Sequence, residues 1–150
     1  MAVKPIPDGF HTVTPYLVVP GLAQVIDFLK QTFDAQEVMR MPRPDGAVAH
    51  AELKIGDSIV MMGEPMGPQQ PPMPSMLYLY VKDVDAAYQR AVKAGGTSVQ
   101  GPANQFYGDR NAMVKDSSGN IWGIATHVED IAPEEMAKRA QAAMKQRQGS

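Results

Sequence analysis

The chain has 150 residues and a mass of 16.3 kDa, close to the commonest size of one compact domain. Hydrophobic residues make up 44% and charged residues 20%, which excludes wholesale disorder. A net charge of −2 offers no basic surface to nucleic acid or an anionic membrane, and the absence of cysteine excludes disulfides and thiolate chemistry. No apolar run reaches the roughly 20 residues that cross a bilayer, and the start lacks a signal-peptide core, so we expect a cytoplasmic protein.

The first half of the chain predicts one helix among four strands. Residues 12–19 are rich in strand formers, and the apolar residues of 22–33 recur every three or four positions, as on one face of a helix. Strand patterns follow at 37–41, 47–55 and 58–62. The predicted order is βαβββ.

The second half repeats this order after a break. Residues 63–74 contain five prolines and two glycines, which predicts a linker rather than a lid. Beyond it, an offset of 62 residues places Tyr16 on Tyr78 and Leu22 on Val84. The chain is therefore interpreted as a duplicated module. The later elements are a strand at 76–81, a helix at 84–94, and strands at 97–99, 107–115 and 120–126.

These elements predict an α+β fold of two βαβββ modules. Residues 1–130 are predicted to form one domain, in which modules at about 10–63 and 75–127 are joined by the linker 63–74. Residues 131–150 are weakly amphipathic and are predicted to form a C-terminal helical extension. Each helix covers one face of its sheet, and the two remaining faces can enclose a cavity.

Four segments carry a family resemblance. They are His50 to Asp57, Val81 to Asp85, Tyr107 to Arg110 and Asp116 to His127. Over about residues 10–130 the chain resembles the vicinal oxygen chelate superfamily, which includes glyoxalase I, bleomycin-resistance proteins and extradiol dioxygenases, and within it the PhnB-like subgroup. The resemblance implies paired βαβββ modules around a concave site, commonly in a homodimer.

The resemblance also implies a divalent metal in active members, held by four His, Gln or Glu ligands. Carried onto this sequence, the ligand positions fall on Thr14, Met61 (or a neighbour, Val60 or Met62), Met76 and Gly123. None of these is a competent ligand for a hard cation. We therefore predict no metal at the family site and no cofactor. A non-standard metal site of His50, Glu52 and Glu64 stays open as an alternative.

Strand alternation predicts which side chains face the cavity. Tyr16, Tyr78 and Tyr80 share their faces with Thr14 and Met76, opposite the aliphatic residues that suit the helices. Together with Met61 and Gly123, which has no side chain, these residues predict a spacious cavity wall that suits a flat ligand. The alternative is that the tyrosines only fill a core between sheets.

His50 and Glu52 lie two apart on one strand and hence on one face. They are interpreted as a general base with its orienting carboxylate, as polar anchors for a ligand, as a solvent-exposed pair, or as a satisfied structural histidine. Asp109-Arg110 offers a charge facing the ligand or a structural bridge. His11 and His127 are expected at the surface and Trp122 in the core.

The sequence therefore predicts a metal-independent small-molecule binding protein, of the kind that confers antibiotic resistance by sequestering a flat hydrophobic compound. The alternatives are a glyoxalase-like lyase or isomerase with an atypical or absent metal, and a regulatory subunit with a vestigial pocket. A homodimer is expected, with no nucleic-acid or membrane partner. The predicted ligand contacts are Thr14, Tyr16, His50, Glu52, Met61, Met76, Tyr78, Tyr80, Arg110 and Gly123.

Overall fold

The computed structural model describes residues 2–149, and its elements follow the order of a duplicated module. Met1 and Ser150, the outer ends of the predicted ranges 1–130 and 131–150, lie outside the described residues. The first module comprises β1 (Tyr16–Val18), α1 (Leu22–Phe33), β2 (Gln36–Pro42), β3 (Val48–Ile55) and β4 (Ser58–Gly63). The second comprises β5 (Met76–Tyr80), α2 (Val84–Lys93), β6 (Thr97–Asn104), β7 (Asp109–Lys115) and β8 (Ile121–His127), and α3 (Pro133–Gln148) follows.

Each module forms a four-stranded mixed sheet of the same topology. The strand order is β1-β4-β3-β2 in sheet 1 and β5-β8-β7-β6 in sheet 2, and in each the first strand runs parallel to the last. Tyr16 lies opposite Met61 and Tyr78 opposite Gly123, so the strand registers repeat with the offset that aligns the sequences. The predicted α+β fold is confirmed.

Both helices serve one hydrophobic core. The aliphatic faces of the two sheets pack against α1 and α2, and their buried residues form one continuous cluster. The ring of Phe33 lies 6.0 Å from that of Trp122, and Arg90 donates to the carbonyl of Thr32 over 3.0 Å. Trp122 is fully buried, as predicted. The opposite face of each sheet, here called its open face, is turned away from both helices.

The proline-rich linker is fastened to the first module. The Glu64 carboxylate accepts from the backbone N–H of Leu22 at the start of α1, over 3.2 Å, where Gly21 provides no capping side chain. The N–H of Met73 donates to the carbonyl of Val18 over 3.1 Å. The linker therefore extends the edge of sheet 1 and caps α1.

The first strand is shorter than predicted. Residues 12–15 lie outside β1, and the hydroxyl of Thr14 donates to the carbonyl of His11 over 2.8 Å, which turns the chain before Pro15. Threonine and valine have high strand propensity, but β1 is an edge strand with one partner, so propensity alone does not extend it.

The strand β6 is longer than predicted, running to Asn104 instead of residue 99. It contains Gly101 and Pro102, residue types that are uncommon inside strands. The register to β7 shifts between Gln100 and Ala103, so Pro102 lies in a bulge of an edge strand, where a missing N–H is tolerated.

The C-terminal helix α3 lies outside the core, with none of its residues buried. It begins at Pro133, and just before it the N–H groups of Val128 and Glu129 donate to the carbonyl of Gly108. Arg139 attaches the helix by donating to the Glu129 carboxylate and to the Phe106 carbonyl. Within residues 2–149, every helix is too short or too polar to span a bilayer.

A buried carboxylate organises the turn between β7 and β8. Asp116 is 6% exposed and accepts from the backbone N–H groups of Ser118 and Asn120, from the Asn120 amide, and from the indole N–H of Trp122 at 2.8 Å. In the matching turn between β3 and β4, Asp57 is exposed and accepts from the hydroxyl of Ser58.

Replacing Asp116 with alanine should lower the free energy of unfolding by at least about 2 kcal/mol, because several buried donors lose their acceptor. Urea unfolding followed by circular dichroism measures this. The matched control, Asp57→Ala, should change stability by less than about 0.5 kcal/mol. Equal effects of the two substitutions would contradict the role assigned to Asp116.

Candidate functional site

The open face of sheet 1 brings together four of the predicted ligand residues. Tyr16 and Glu52 both lie opposite Met61, and His50 lies two residues before Glu52 on β3. The Tyr16 hydroxyl is 3.3 Å from Nδ1 of His50, and Nε2 of His50 is 3.4 Å from the Glu52 carboxylate. These side chains form a continuous polar chain across the sheet.

The Glu52 carboxylate, at one end of this row of polar side chains, determines which atoms of the row donate hydrogen bonds. An ionised Glu52 can only accept, so Nε2 of His50 carries the hydrogen between them, and in a neutral ring Nδ1 accepts from the Tyr16 hydroxyl. Both side chains of the His50–Glu52 pair are mostly buried. The geometry fits a ligand anchor, an oriented base or a satisfied structural histidine, and does not fit a freely solvated pair.

On the open face of sheet 2, two tyrosines share one buried carboxylate. The hydroxyls of Tyr78 and Tyr80 donate to the same oxygen of Asp109, Oδ2, over 2.8 and 2.9 Å. Asp109 is 4% exposed, whereas Tyr80 is 64% exposed. The two rings stand at 76° with centroids 5.4 Å apart. They form an aromatic corner whose hydroxyls are anchored in the protein.

Asn111 completes the hydrogen bonding beside this corner. Its Nδ2 donates to the hydroxyl oxygens of Tyr78 and Tyr107, over 3.0 and 2.7 Å. Its Oδ1 accepts from the side-chain amides of Gln100 and Gln105, both at 3.0 Å. Asn111 is almost fully buried, so this network fixes the position of the Tyr78 ring.

His127 bridges two carboxylates at the end of β8. Its Nδ1 is 3.0 Å from Asp109 and its Nε2 is 2.8 Å from Asp130. Because ionised carboxylates only accept, both contacts are hydrogen bonds when both ring nitrogens carry hydrogen, that is, in the imidazolium form. His127 lies at the surface, as expected, but it also belongs to the Asp109 cluster.

The charges of this cluster follow from its contacts. Burial acts to raise the pKa of Asp109, but hydrogen bonds from His127, Tyr78 and Tyr80 outweigh it and hold that pKa below its ordinary value. Burial raises the pKa of Tyr78 far above its ordinary value, and the bond to Asp109 raises the pKa of Tyr80. Near neutral pH, Asp109 is ionised and both phenols keep their hydrogens.

The two open faces repeat one contact with different partners. Tyr16 meets His50, which lies opposite Gly63, two positions beyond the partner of Tyr16 on β4. Tyr78 meets Asn111, which lies opposite Ala125, again two positions beyond the partner of the tyrosine. The two modules therefore share a tyrosine that contacts a polar side chain across the neighbouring strand.

Gly123 does not leave open space, which corrects the prediction for this residue. A Cβ atom at 123 would lie 2.8 Å from Cδ2 of Tyr78, so the tyrosine ring already occupies that volume. The small residue lets Tyr78 cross β8 and reach Asp109. Gly63 does the same in sheet 1, where a Cβ would lie 2.5 Å from the hydroxyl oxygen of Tyr16.

Two predicted ligand residues do not join these groups. Arg110 lies on the helix-covered face, where its guanidinium binds the Asp85 carboxylate of α2 over 2.8 and 2.9 Å. Its neighbour Asp109 is on the open face because successive residues of a strand alternate. Thr14 lies before β1 and bonds to its own turn. Met76, by contrast, shares the open face of sheet 2 with the tyrosines and is exposed.

A groove of about 990 Å³ runs between the modules along the edge strand β5. The residues that line it include Phe33, Val60, Trp122, Tyr78, Tyr80 and His127. Of the ten predicted ligand contacts, only Tyr78 and Tyr80 line it. The open faces and this groove are therefore adjacent rather than one enclosed cavity within a single chain.

The residues at the family's metal positions do not fit a divalent cation. Met61 and Met76 offer thioethers, Gly123 offers no side chain, and the Thr14 hydroxyl bonds within its turn. Within residues 2–149, no three His, Asp or Glu side chains are grouped so that they could hold a metal ion. These positions therefore provide no set of ligands for a divalent cation.

The sequence analysis does not identify Asn111 as a site residue, expects His127 only at the surface, and considers Asp109 only together with Arg110. A signal was present, since 107–115 was predicted as a strand and alternation places Asp109 and Asn111 on one face. What the sequence lacked was the register, which sets Asn111 opposite Ala125 and Asp109 opposite His127. Register follows from the whole sheet and not from the strand alone.

The imidazolium bridge should give stability a pH dependence. Hydrogen bonds to Asp109 and Asp130 raise the pKa of His127, so its contribution is fully present below about pH 6.5 and is lost as pH rises through the folded-state pKa. The lowered pKa of Asp109 changes the stability only below about pH 4, outside this pH range. Between pH 5.5 and 8.5 the melting temperature of the wild type should fall more than that of His127→Gln.

An NMR titration of the imidazole should find the pKa of His127 above about 6.5, and Asp130→Asn should lower it because one of the two acceptors loses its charge. Parallel melting curves of wild type and His127→Gln across this pH range would contradict the bridge.

Comparison with known proteins identifies the family. A model of the Glyoxalase/Bleomycin resistance protein/Dioxygenase superfamily matches residues 9–124. An uncharacterized protein of Mycobacterium bovis is 37% identical over 142 residues, covering 88% of this chain and 91% of the relative. An uncharacterized protein of Mycobacterium tuberculosis is also 37% identical over 142 residues, covering 88% of this chain and 81% of the relative.

Solved structures share the fold. TioX from Micromonospora sp. ML1 superposes with a TM-score of 0.68 at 25% identity, covering 79% of this chain and 99% of TioX. TnmS3, an antibiotic binding protein from Streptomyces sp. CB03234, superposes with a TM-score of 0.62 at 25% identity, covering 85% of this chain and 98% of TnmS3. The sequence match and the duplicated fold agree, and the chain belongs to the glyoxalase/bleomycin resistance protein/dioxygenase superfamily.

Proposed function

We propose that this chain binds and sequesters a flat, hydrophobic small molecule without the help of a metal. The observation that carries the proposal is the aromatic corner of sheet 2. Tyr80 presents an exposed ring while its hydroxyl is held by the buried Asp109. A ring that is already fixed loses little conformational freedom when a planar ligand stacks on it, so binding is favoured by preorganisation.

Further residues of the open faces extend this surface. Met61 and Met76 add polarizable apolar area, and Tyr16, His50 and Glu52 add polar anchors on sheet 1. We assign ligand contact to these five residues together with Tyr78 and Tyr80. Gly123 contributes indirectly, by making room for Tyr78.

The likeness to TnmS3 supports a ligand of the antibiotic class. That protein is an antibiotic binding protein, and it shares the fold and 25% of aligned residues with this chain. The alternative predicted from the sequence, a glyoxalase-like lyase or isomerase, relies in this family on a metal as Lewis acid. The residues at the metal positions give that alternative no support. The PhnB-like subgroup and the cytoplasmic location stay predictions from the sequence.

We also propose that the chain is a homodimer. The open faces leave Tyr16, Met76 and Tyr80 46%, 52% and 64% exposed. The edge strand β5 also has a free side, which opens on the groove. Exposed aromatic surface and an unpaired edge favour a partner, and a two-fold dimer is the commonest closed arrangement.

Light scattering at micromolar concentration should return twice the chain mass of 16.3 kDa. Met76→Glu places a charge on the open face and should shift the protein toward monomer. Met66→Glu, at an exposed site in the linker, is the matched control and should leave the dimer intact. A wild-type monomer at these concentrations would contradict the proposal.

Ligand binding should be detected by thermal shift with neutral planar aromatics such as acridine, anthraquinone and 2-methoxyanthracene. A ligand at 100 times its Kd adds about 2.7 kcal/mol to stability. Tyr80→Ala should weaken the binding of a positive compound about tenfold, because it removes a stacking contact and its buried area. Tyr80 is preferred over Tyr78 for this test, since Tyr78 also holds Asn111.

The matched control is Tyr88→Ala, which removes a tyrosine of α2 whose hydroxyl donates to Ser98 away from the open face. It should leave affinity unchanged. If none of the planar compounds raises the melting temperature, or if both alanine variants lose affinity equally, the proposed function is wrong.

A further inference from the structure

We propose that the open face of sheet 2 selects its ligand by a hydrogen-bond donor, an amine, ammonium or phenol hydrogen on a planar ring system, which the hydroxyl oxygen of Tyr80 accepts. This inference rests on the proposed function and specifies the chemistry of the ligand bound at that surface.

The direction of the tyrosine hydrogens is fixed by Asp109. An ionised carboxylate only accepts, and its Oδ2 receives both the Tyr78 and the Tyr80 hydroxyl hydrogens over 2.8 and 2.9 Å. A hydroxyl that donates its hydrogen inward can offer only lone pairs to a ligand. The aromatic corner therefore presents acceptors and not donors.

Asn111 gives the hydroxyl oxygens of Tyr78 and Tyr80 different roles. Its Nδ2 donates to the Tyr78 oxygen over 3.0 Å, so that oxygen already accepts one bond within the protein. The orientation of the amide is set by Gln100 and Gln105, which donate to Oδ1. Tyr80 is the last residue of β5 and is 64% exposed. Its oxygen is thus the acceptor that a ligand reaches.

The buried charge strengthens this preference. Asp109 is 4% exposed, so its field is weakly screened, and it lies directly behind the Tyr80 hydroxyl. A hydrogen bond from a phenol to a carboxylate polarises the phenol oxygen and makes it a better acceptor. The same charge opposes an anionic group, although His127 on the other carboxylate oxygen offsets part of it.

Three fluorescent probes with one ring system test the inference. In 2-aminoanthracene the substituent donates, in 2-methoxyanthracene it only accepts, and in anthracene-2-carboxylate it accepts and is anionic. Titrated against the wild-type protein at pH 7.5, the amine should bind at least tenfold more tightly than the carboxylate and several-fold more tightly than the ether.

Tyr80→Phe keeps the ring and removes the acceptor, so the several-fold preference for the amine over the ether should disappear while 2-methoxyanthracene still binds. Asp109→Asn gives a second variant in which the tyrosine hydroxyls are no longer directed by a carboxylate, and the preference should fall there too. The matched controls are Tyr88→Phe on α2 and Asp85→Asn on the helix-covered side, which should keep the full preference.

The outcomes separate the two proposals. Equal affinity of the wild type for all three probes would overturn the donor rule while supporting a flat-ligand binder. A preference that survives in both Tyr80→Phe and Asp109→Asn would also overturn it. Failure of all three probes to bind below millimolar concentration would overturn the proposed function and, with it, this inference.

Discussion

The shared core of the two modules determines what the rest of the molecule can do. A single βαβββ unit has one helix and therefore covers only one face of its sheet. Here α1 and α2 pack together, and contacts such as Phe33 on Trp122 join the aliphatic faces of both sheets in one cluster. Both helices are thereby used, and nothing in residues 2–149 covers the open faces to the same degree. Exposed tyrosines and methionines on those faces follow from this arrangement, and so does their availability to a ligand or to a second copy.

On these faces, buried polar groups hold exposed aromatic ones in place. A carboxylate that is 4% exposed is stable only when its oxygens are hydrogen-bonded, and Asp109 meets that requirement with Tyr78, Tyr80 and His127. The same hydrogen bonds therefore stabilise the buried charge and hold the two tyrosine rings in place. This differs from a core tyrosine, whose ring is fixed by packing and is not accessible. The alternative that the tyrosines only fill a core between sheets does not fit Tyr80, which is 64% exposed.

The parts of this structure that sequence could predict are those set by local periodicity. Helix α1 follows from apolar spacing, and the duplication follows from the offset that aligns Tyr16 with Tyr78. The missed parts depend on partners distant in sequence. Edge strand β6 accommodates Pro102 through a bulge against β7, and Asn111 becomes a site residue because the sheet places it within reach of Tyr78 on β5. Arg110 was assigned to the site although alternation, counted from Asp109, turns it toward α2. Gly123 was interpreted as free volume because no sequence pattern shows which ring lies above a glycine.

Gly123 also links the loss of the family's metal ligand with the form of the present surface. The position that the resemblance assigns to a metal ligand is occupied by a residue without a side chain, and a Cβ there would approach the Tyr78 ring to 2.8 Å. Any ligating side chain at 123 would therefore displace Tyr78 from its path across β8 to Asp109 and Asn111. A metal ligand at this position and the anchored tyrosine exclude each other sterically. In sheet 1 the equivalent position is Met61, opposite Tyr16, where a flexible thioether leaves the Tyr16–His50 contact intact. The same two positions that make the chain a poor metal site thus make it a surface of fixed aromatic rings.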